Sequence, residues 1–243
     1  MMNDEAKELG MNDTTFKNCH GLDEDGHVTS AYDISLMSCQ LLNKYPEITK
    51  YSTIWMDSLR DGKSELVNTN KLIRNYKGAT GLKTGSTSQA LFNLSASATR
   101  DNLSLVAVIM KGPTSKVRFS EASKLLDYGF TNFAYTQFAQ KGDVLKEVEV
   151  SKGISPAVQG IFAENSGVLI EKGQESSVVQ NVYIEENISA PIEAGQKIGE
   201  VKYTLNDELV ATSDIVASES VSKINIYTMC QKIYWQWFTL LRG

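Results

Sequence analysis

Three closely spaced runs of strand-forming residues constrain the fold of the first half of this chain. We predict strands over residues 79–84, 91–98 and 103–110, with a turn at residues 100–102 between the second and the third. The third run is almost continuously apolar, which is typical of a strand covered on both faces. Residues 115–128 then repeat apolar side chains at helical spacing, and Gly129 is expected to close that helix. The pattern predicts an antiparallel sheet backed by helices.

The first predicted strand ends in a Lys-Thr-Gly sequence whose residue types suit the binding of a peptide carboxylate. Lys83 offers a fixed positive charge, and Thr84 adds a hydroxyl donor beside it. Gly85 has no side chain, so a ligand can lie along Gly85, Ser86 and Thr87 as an added strand. The tripeptide also occurs in ordinary hairpins, where the lysine is only a solvated residue at a strand end.

Composition narrows the classes of function. The 243 residues are 42% hydrophobic and 22% charged, which is ordinary for a globular protein of one large domain or two small ones. The formal charge of −5 and the absence of a basic block argue against nucleic acid as a partner. Cys19, Cys39 and Cys230 form no Cys-x-x-Cys pair, and His20 and His27 fit a packed loop better than a ligand set. We therefore predict no metal site and no cofactor.

The second half of the chain differs from the first in its residue pattern. From about residue 136 the chain consists of short strand-like runs separated by Gly, Asn and Asp, which predicts a small all-β domain. We place the first domain at residues 1–133, the β domain at 134–220 and a terminal segment at 221–243. The predicted strands of the β domain span residues 144–150, 168–171, 177–183, 196–203 and 208–216.

The terminal segment is predicted to be an amphipathic helix, from residue 222, lying on a membrane surface. Polar residues recur every three or four positions, and apolar and aromatic residues fill the wide remainder. All three of its charged side chains are positive, which suits anionic lipid. A helix docked on the β domain is the alternative. The residues expected to anchor it at the headgroup boundary are Tyr234, Trp235, Trp237 and Phe238.

Six motifs occur in a fixed order, at residues 16–23, 26–27, 30–33, 81–87, 93–98 and 124–130. Together they resemble the D-alanyl-D-alanine carboxypeptidases, the low-molecular-mass penicillin-binding proteins of serine peptidase family S11. The resemblance is close over residues 1–133 and looser afterwards, and one departure is Leu91, where the family usually has glycine. It implies an α+β fold: the C-terminal part of a penicillin-binding/β-lactamase-like domain, then a small all-β domain and an amphipathic helix.

This resemblance implies a function in peptidoglycan maturation. Such enzymes remove the terminal D-alanine of stem peptides through an acyl-enzyme, and they bind β-lactams. By this resemblance Lys83 and Thr84 would hold the terminal carboxylate, and backbone along residues 85–87 would pair with the peptide. The family also implies a peripheral location on the outer face of the cytoplasmic membrane.

Two motifs that this chemistry needs, Ser-x-x-Lys and Ser-x-Asn, are absent before Lys83. The single Ser-x-x-Lys, at Ser220 to Lys223, is a match expected about once by chance. We therefore predict no catalytic residue here and expect an N-terminally truncated carboxypeptidase that is inactive alone; its acidic start carries no signal peptide. The alternatives are a non-catalytic membrane-surface module and a β-lactamase-related protein, and the second domain argues against the latter.

Overall fold

The computed structural model describes residues 1–230 and residue 234. The chain divides into two compact units, Met1–Phe133 and Ala134–Gly243. Helices and antiparallel strands make up the first unit, whereas strands dominate the described part of the second. This arrangement confirms the predicted α+β fold class with a β-rich second part.

Every residue of the first unit is described, and the unit contains five helices and five strands. Its helices are α1 (Met2–Glu8), α2 (Ala31–Lys44), α3 (Thr49–Ser52), α4 (Leu72–Asn75) and α5 (Ser115–Asn132), with a 3-10 turn at Pro46–Ile48. Its strands are β1 (Met56–Leu59), β2 (Ser64–Val67), β3 (Ala79–Thr87), β4 (Leu91–Arg100) and β5 (Leu103–Gly112).

The three strands predicted from the sequence form one antiparallel sheet in the order β3-β4-β5. The central strand β4 carries the unit's most buried run, from Leu94 to Ala98. Ser95 in that run shares a buried hydrogen bond of 2.8 Å with Ser38 of α2, so a helix is joined to the sheet through two hydroxyl groups. A buried hydroxyl is stable only when it is hydrogen-bonded, and each serine satisfies the other.

Helix α5 does not end at Gly129, as predicted, but continues to Asn132. Gly129 lies where the helix approaches the sheet: a Cβ atom at this position would be 2.5 Å from Cδ1 of Leu105. The glycine is therefore required by close packing inside the helix and not by a left-handed cap after it.

The sequence Ser30-Ala31-Tyr32-Asp33 predicts a capping box, with Ser30 as the N-cap and the Asp33 carboxylate reaching back, but that carboxylate binds a different segment. Ser30 caps the helix as predicted, since its Oγ accepts a hydrogen bond of 3.1 Å from the Asp33 amide. The buried Asp33 carboxylate accepts from the Asp13 amide at 2.9 Å and from the Thr14 hydroxyl at 2.6 Å. This acidic side chain thus anchors the loop before α2 to the helix.

Asp61-Gly62 between the runs at residues 52–59 and 65–67 predicts a hairpin, and the structure has one, formed by β1 and β2. Its first strand is shorter than the predicted run, which starts at residue 52, because Thr49–Ser52 is helical. The Thr53 hydroxyl donates to the Thr49 carbonyl at 2.6 Å, which satisfies the end of that helical turn.

The second unit has its own core, built by strands. Its strands are β6 (Phe133–Ala139), β7 (Val144–Glu149), β8 (Ala157–Phe162), β9 (Ser166–Glu171), β10 (Val178–Ile184), β11 (Lys197–Leu205) and β12 (Glu208–Ala217). Five strands form a sheet in the order β10-β11-β12-β8-β7, and β6 pairs with β9. At the centre, the fully buried Tyr203 stacks on Phe138 with 5.0 Å between ring centroids and hydrogen-bonds Ser166 through its hydroxyl.

Two strands of this unit, β6 and β8, fall outside the predicted runs. β8 contains Gly160, a residue that weakens a strand pattern. The structure gives a packing reason for it, since a Cβ atom there would be 3.0 Å from Cγ2 of Ile215 and 3.4 Å from the Lys146 carbonyl. Neighbouring strands approach so closely here that only glycine fits without displacement.

The terminal helix begins at residue 226, four residues later than predicted. Residues 221–224 are extended and belong to the β unit: Val221 is buried and bridges Ile192, and Lys223 bridges Gly153. Asn225 then caps the helix, since its Oδ1 accepts from the Thr228 amide at 2.9 Å. Within the described residues, no helix is both long enough and apolar enough to cross a membrane. Trp235, Trp237 and Phe238 of the predicted anchor lie outside the described residues.

Removal of the Asp33 carboxylate should destabilise the first unit. In Asp33→Ala the Asp13 amide and the Thr14 hydroxyl lose their acceptor, which we expect to lower the free energy of unfolding by about 1–3 kcal/mol. Urea unfolding of the whole chain measures this change. Asp25→Ala is the matched control, because Asp25 is an exposed carboxylate of the same loop region. Equal effects of the two substitutions would contradict the anchoring role.

Candidate functional site

The second half of β3 borders a groove of about 830 Å³ in the first unit. One wall is formed by Leu82 to Thr87 of β3, and another by Ile34, Met37 and Leu41 of α2. The sequence predicts a helical apolar stripe at these positions, and all three residues remain at least partly accessible because they face the groove. The groove is therefore largely apolar with one polar strand along it, a combination typical of ligand sites.

Lys83 is exposed at this groove, and its ammonium group donates to the carbonyl oxygen of Thr84. Within the described part of the chain, Lys83 forms no ion pair. Its positive charge is thus held at the groove by a neutral acceptor only, which leaves the charge available to an anion.

Thr84, unlike Lys83, is buried: the residue is only 7% exposed, although it borders the groove. Its hydroxyl lies 2.6 Å from the hydroxyl of Thr69, so it is hydrogen-bonded already without a ligand. Strand register pairs Thr84 with Leu94 of β4, a fully buried residue. The position of Thr84 is therefore set by the sheet and by Thr69.

Gly85 is open on the side where a Cβ atom would project. A Cβ atom built there meets no atom within 4 Å, so no packing within this unit demands glycine. Ser86 next to it is exposed, and the Thr87 hydroxyl donates to Asp23 at 2.6 Å. The predicted residues 83–87 thus lie together on one strand, with an open face at Gly85 and a fixed end at Thr87.

Arg118 contacts this strand and was not predicted. Its Nη1 donates to the carbonyl oxygens of Gly85 at 3.2 Å and Asn93 at 3.1 Å. The side chain is only 7% exposed, and its Nε has no hydrogen-bond partner among the described residues. Burial lowers the pKa of the guanidinium, whereas the rings of Phe92 and Phe119, 5.5 and 4.8 Å from Cζ, favour the charged form. An arginine at helical spacing within the apolar face of α5 was the sequence signal.

Asn93 holds the turn between β3 and β4. Its amide donates to the carbonyl oxygens of Ala90 and Leu91, at 3.1 and 3.3 Å, and its Oδ1 accepts from the Lys111 amide at 2.8 Å. Leu91, the departure from the family pattern, has φ of 53°, in the left-handed region that favours glycine. The backbone therefore keeps a glycine-like conformation although a larger residue occupies it.

The remaining candidates were the cysteines, the histidines and Ser220. No group of three or more His, Cys, Asp or Glu among the described residues could hold a metal ion, and the three cysteines, including Cys19, are unpaired and exposed. His27 instead packs edge-on against Phe16, with 5.9 Å between ring centroids. Ser220, of the chance Ser-x-x-Lys match, lies in the second unit and accepts from the Ala194 amide at 2.9 Å.

Comparison with known proteins places these features in one family. A family model described as D-alanyl-D-alanine carboxypeptidase matches residues 1–114, and one described as the C-terminal domain of penicillin-binding protein 5 matches residues 133–223. The D-alanyl-D-alanine carboxypeptidase DacF of Bacillus subtilis is 37% identical over 240 residues, covering 97% of this chain and 61% of that protein. DacA of Haemophilus influenzae is 31% identical over 242 residues, covering 98% of this chain and 60% of that protein.

Solved structures agree with the sequence relatives. Penicillin-binding protein 5 from Haemophilus influenzae superposes with a TM-score of 0.73 at 32% identity, covering 91% of this chain and 65% of that one. Penicillin-binding protein 6B from Escherichia coli gives a TM-score of 0.61 at 28% identity, covering 89% and 58%. The chain spans about 60% of the length of the curated relatives it matches. With both units matched by family models in the same order, the chain belongs to the D-alanyl-D-alanine carboxypeptidase family.

Proposed function

We propose that this chain supplies the carboxylate-binding part of a serine-type D-Ala-D-Ala carboxypeptidase of peptidoglycan maturation. The observation that carries the proposal is Lys83, an exposed cation that forms no ion pair with any described residue, beside the open face of Gly85 on the groove. A stem peptide ending in D-Ala-D-Ala offers a carboxylate for Lys83 and backbone amides for the strand.

In this function the residues of β3 bind and orient the substrate. Lys83 and Thr84 hold the terminal carboxylate, and the backbone of Gly85, Ser86 and Thr87 pairs with the peptide as an added strand. Arg118 positions that strand through the Gly85 carbonyl. These contacts fix the peptide so that its last amide bond is presented to a nucleophile.

The chemical step needs groups that this sequence does not contain before Lys83. Cleavage through an acyl-enzyme requires a serine that attacks the carbonyl carbon and a lysine that accepts its proton, and neither Ser-x-x-Lys nor Ser-x-Asn precedes the groove strand. We therefore propose that the chain alone binds the peptide but does not cleave it. The same absence supports a non-catalytic module as the second candidate function.

Incubation with benzylpenicillin should leave the mass of this chain unchanged. An adduct requires the nucleophilic serine, so intact-protein mass spectrometry is expected to show only the unmodified species. A relative that carries both motifs serves as the positive control. A stoichiometric mass increase equal to one penicillin would disprove the proposed lack of acylation.

Lys83→Ala should weaken the binding of N-acetyl-D-alanyl-D-alanine. Loss of a charge-assisted contact is expected to reduce the binding free energy by about 1.5–3 kcal/mol, measured by titration of backbone amide signals in NMR spectra. The same dipeptide with a C-terminal carboxamide is the matched ligand, since it has no charge for Lys83. Lys83→Ala should lose most of the preference for the carboxylate ligand, and an undiminished preference would remove Lys83 from the site.

The start of the terminal helix supports a location at a membrane surface. Ile226 and Tyr227 are 83% and 71% exposed, and Met229 and Tyr234 are exposed as well. Apolar side chains presented by the first turns of a helix with positive flanking charges suit a lipid interface. We propose that the chain is peripheral on the outer face of the cytoplasmic membrane, with Tyr234, Trp235, Trp237 and Phe238 as anchors.

Truncation after Asn225 should abolish binding to anionic lipid vesicles. This cut keeps Val221 and Lys223 in the β unit, so its core is preserved. Co-sedimentation is expected to be lost in the truncated chain and strongly reduced in the double substitution Trp235→Ser and Trp237→Ser. Undiminished sedimentation of the truncated chain would show that another surface binds the lipid.

A further inference from the structure

The hydroxyl of Thr69 lies 2.6 Å from the hydroxyl of Thr84, a residue of the proposed carboxylate site. We propose that Thr69 is a positioning residue that directs the Thr84 hydroxyl proton toward the groove. The inference rests on the proposed function, because it concerns how Thr84 meets a carboxylate. Thr69 itself does not border the groove, so its effect on a ligand passes through Thr84.

The segment that carries Thr69 is held rigidly by the asparagines on either side. Asn68 donates to the carbonyl oxygens of Ser52 and Ile54, at 3.1 and 2.9 Å. Asn70 is only 2% exposed and donates to the Gly81 carbonyl of β3 at 2.9 Å. The side-chain oxygens of both asparagines accept backbone amides within the same turn, at 2.9 and 3.2 Å. Thr69 is thus placed beside β3 by hydrogen bonds of the residues on both sides of it.

The direction of one proton decides what Thr84 can offer. A hydroxyl has one proton and two acceptor lone pairs, so only one member of the pair donates across the 2.6 Å contact. If Thr84 donates to Thr69, its oxygen presents only lone pairs to the groove, and these repel a carboxylate. If Thr69 donates, the Thr84 proton is available to the ligand, and each hydrogen bond in the resulting chain polarises the next.

A carboxylate in the groove selects the second arrangement. Thr69 has the required proton, and its exposed position allows the hydroxyl to rotate. A side chain of similar shape without a hydroxyl would leave the Thr84 proton free to meet the ligand but would remove the donor that polarises the Thr84 hydroxyl and strengthens its bond to a carboxylate. The contribution of Thr69 should therefore depend on the charge of the ligand, whereas a purely structural contribution would not.

The test compares four forms of the full chain: the unmodified protein, Thr69→Val, Thr69→Ser and Thr80→Val. Thr80 is the matched control, since its hydroxyl also pairs with another hydroxyl, Ser97 at 2.8 Å, on the same strand but away from the groove. Each form is titrated with N-acetyl-D-alanyl-D-alanine and with its C-terminal carboxamide, and backbone amide spectra verify that β3 is intact.

We expect Thr69→Val to bind the carboxylate ligand about three- to tenfold more weakly and the carboxamide equally well. Thr69→Ser should restore the affinity, and Thr80→Val should leave both affinities unchanged. Equal weakening of both ligands in Thr69→Val, or no weakening of either, would overturn the role of Thr69 while the proposed function stands. If the unmodified chain does not prefer the carboxylate, the proposed function fails and the inference about Thr69 fails with it.

Discussion

The antiparallel pairing of β3 with β4 is the constraint on which the site depends. The register aligns Lys83 with Ser95, Thr84 with Leu94 and Gly85 with Asn93. Because side chains alternate across a strand, a slip of one residue would bury Lys83 and expose Thr84. Contacts between the two strands oppose such a slip: the Thr80 hydroxyl of β3 pairs with Ser97 of β4 at 2.8 Å, and Arg118 binds the carbonyl oxygens of Gly85 and Asn93 together.

Two groups brace the same strand from different elements. Arg118 of α5 binds the Gly85 carbonyl, and Asn70 binds the Gly81 carbonyl, four residues earlier on β3. A buried arginine is unfavourable unless its charge is compensated, and here two carbonyl oxygens and two aromatic rings supply the compensation. The strand is therefore preorganised from both sides of the Lys-Thr-Gly sequence, which limits the entropy that a ligand must remove.

Sequence reasoning predicted the regular parts of the fold because those parts obey a simple period. β3, β4 and β5 appear where alternating and continuous apolar runs indicated them, and the Lys-Thr-Gly residues lie on a groove. It failed where distant contacts decide the role of a residue. Gly129 resembles a helix end but marks a close approach to Leu105, and the carboxylate of Asp33 leaves its own helix to bind residues 13 and 14. Arg118 lies on an apolar helix face, and only the three-dimensional structure brings it to Gly85.

The left-handed backbone of Leu91 determines which residues the β3–β4 turn can accept through evolution. At φ of 53°, glycine is unstrained and an unbranched or γ-branched side chain is tolerated at some cost, but Val, Ile and Thr clash with their own backbone. Substitutions at this position are thus expected among Gly, Asn and residues such as Leu, and the β-branched residues that strands otherwise prefer are excluded. Backbone geometry therefore limits which residues can occupy this position, independently of their effect on ligand binding.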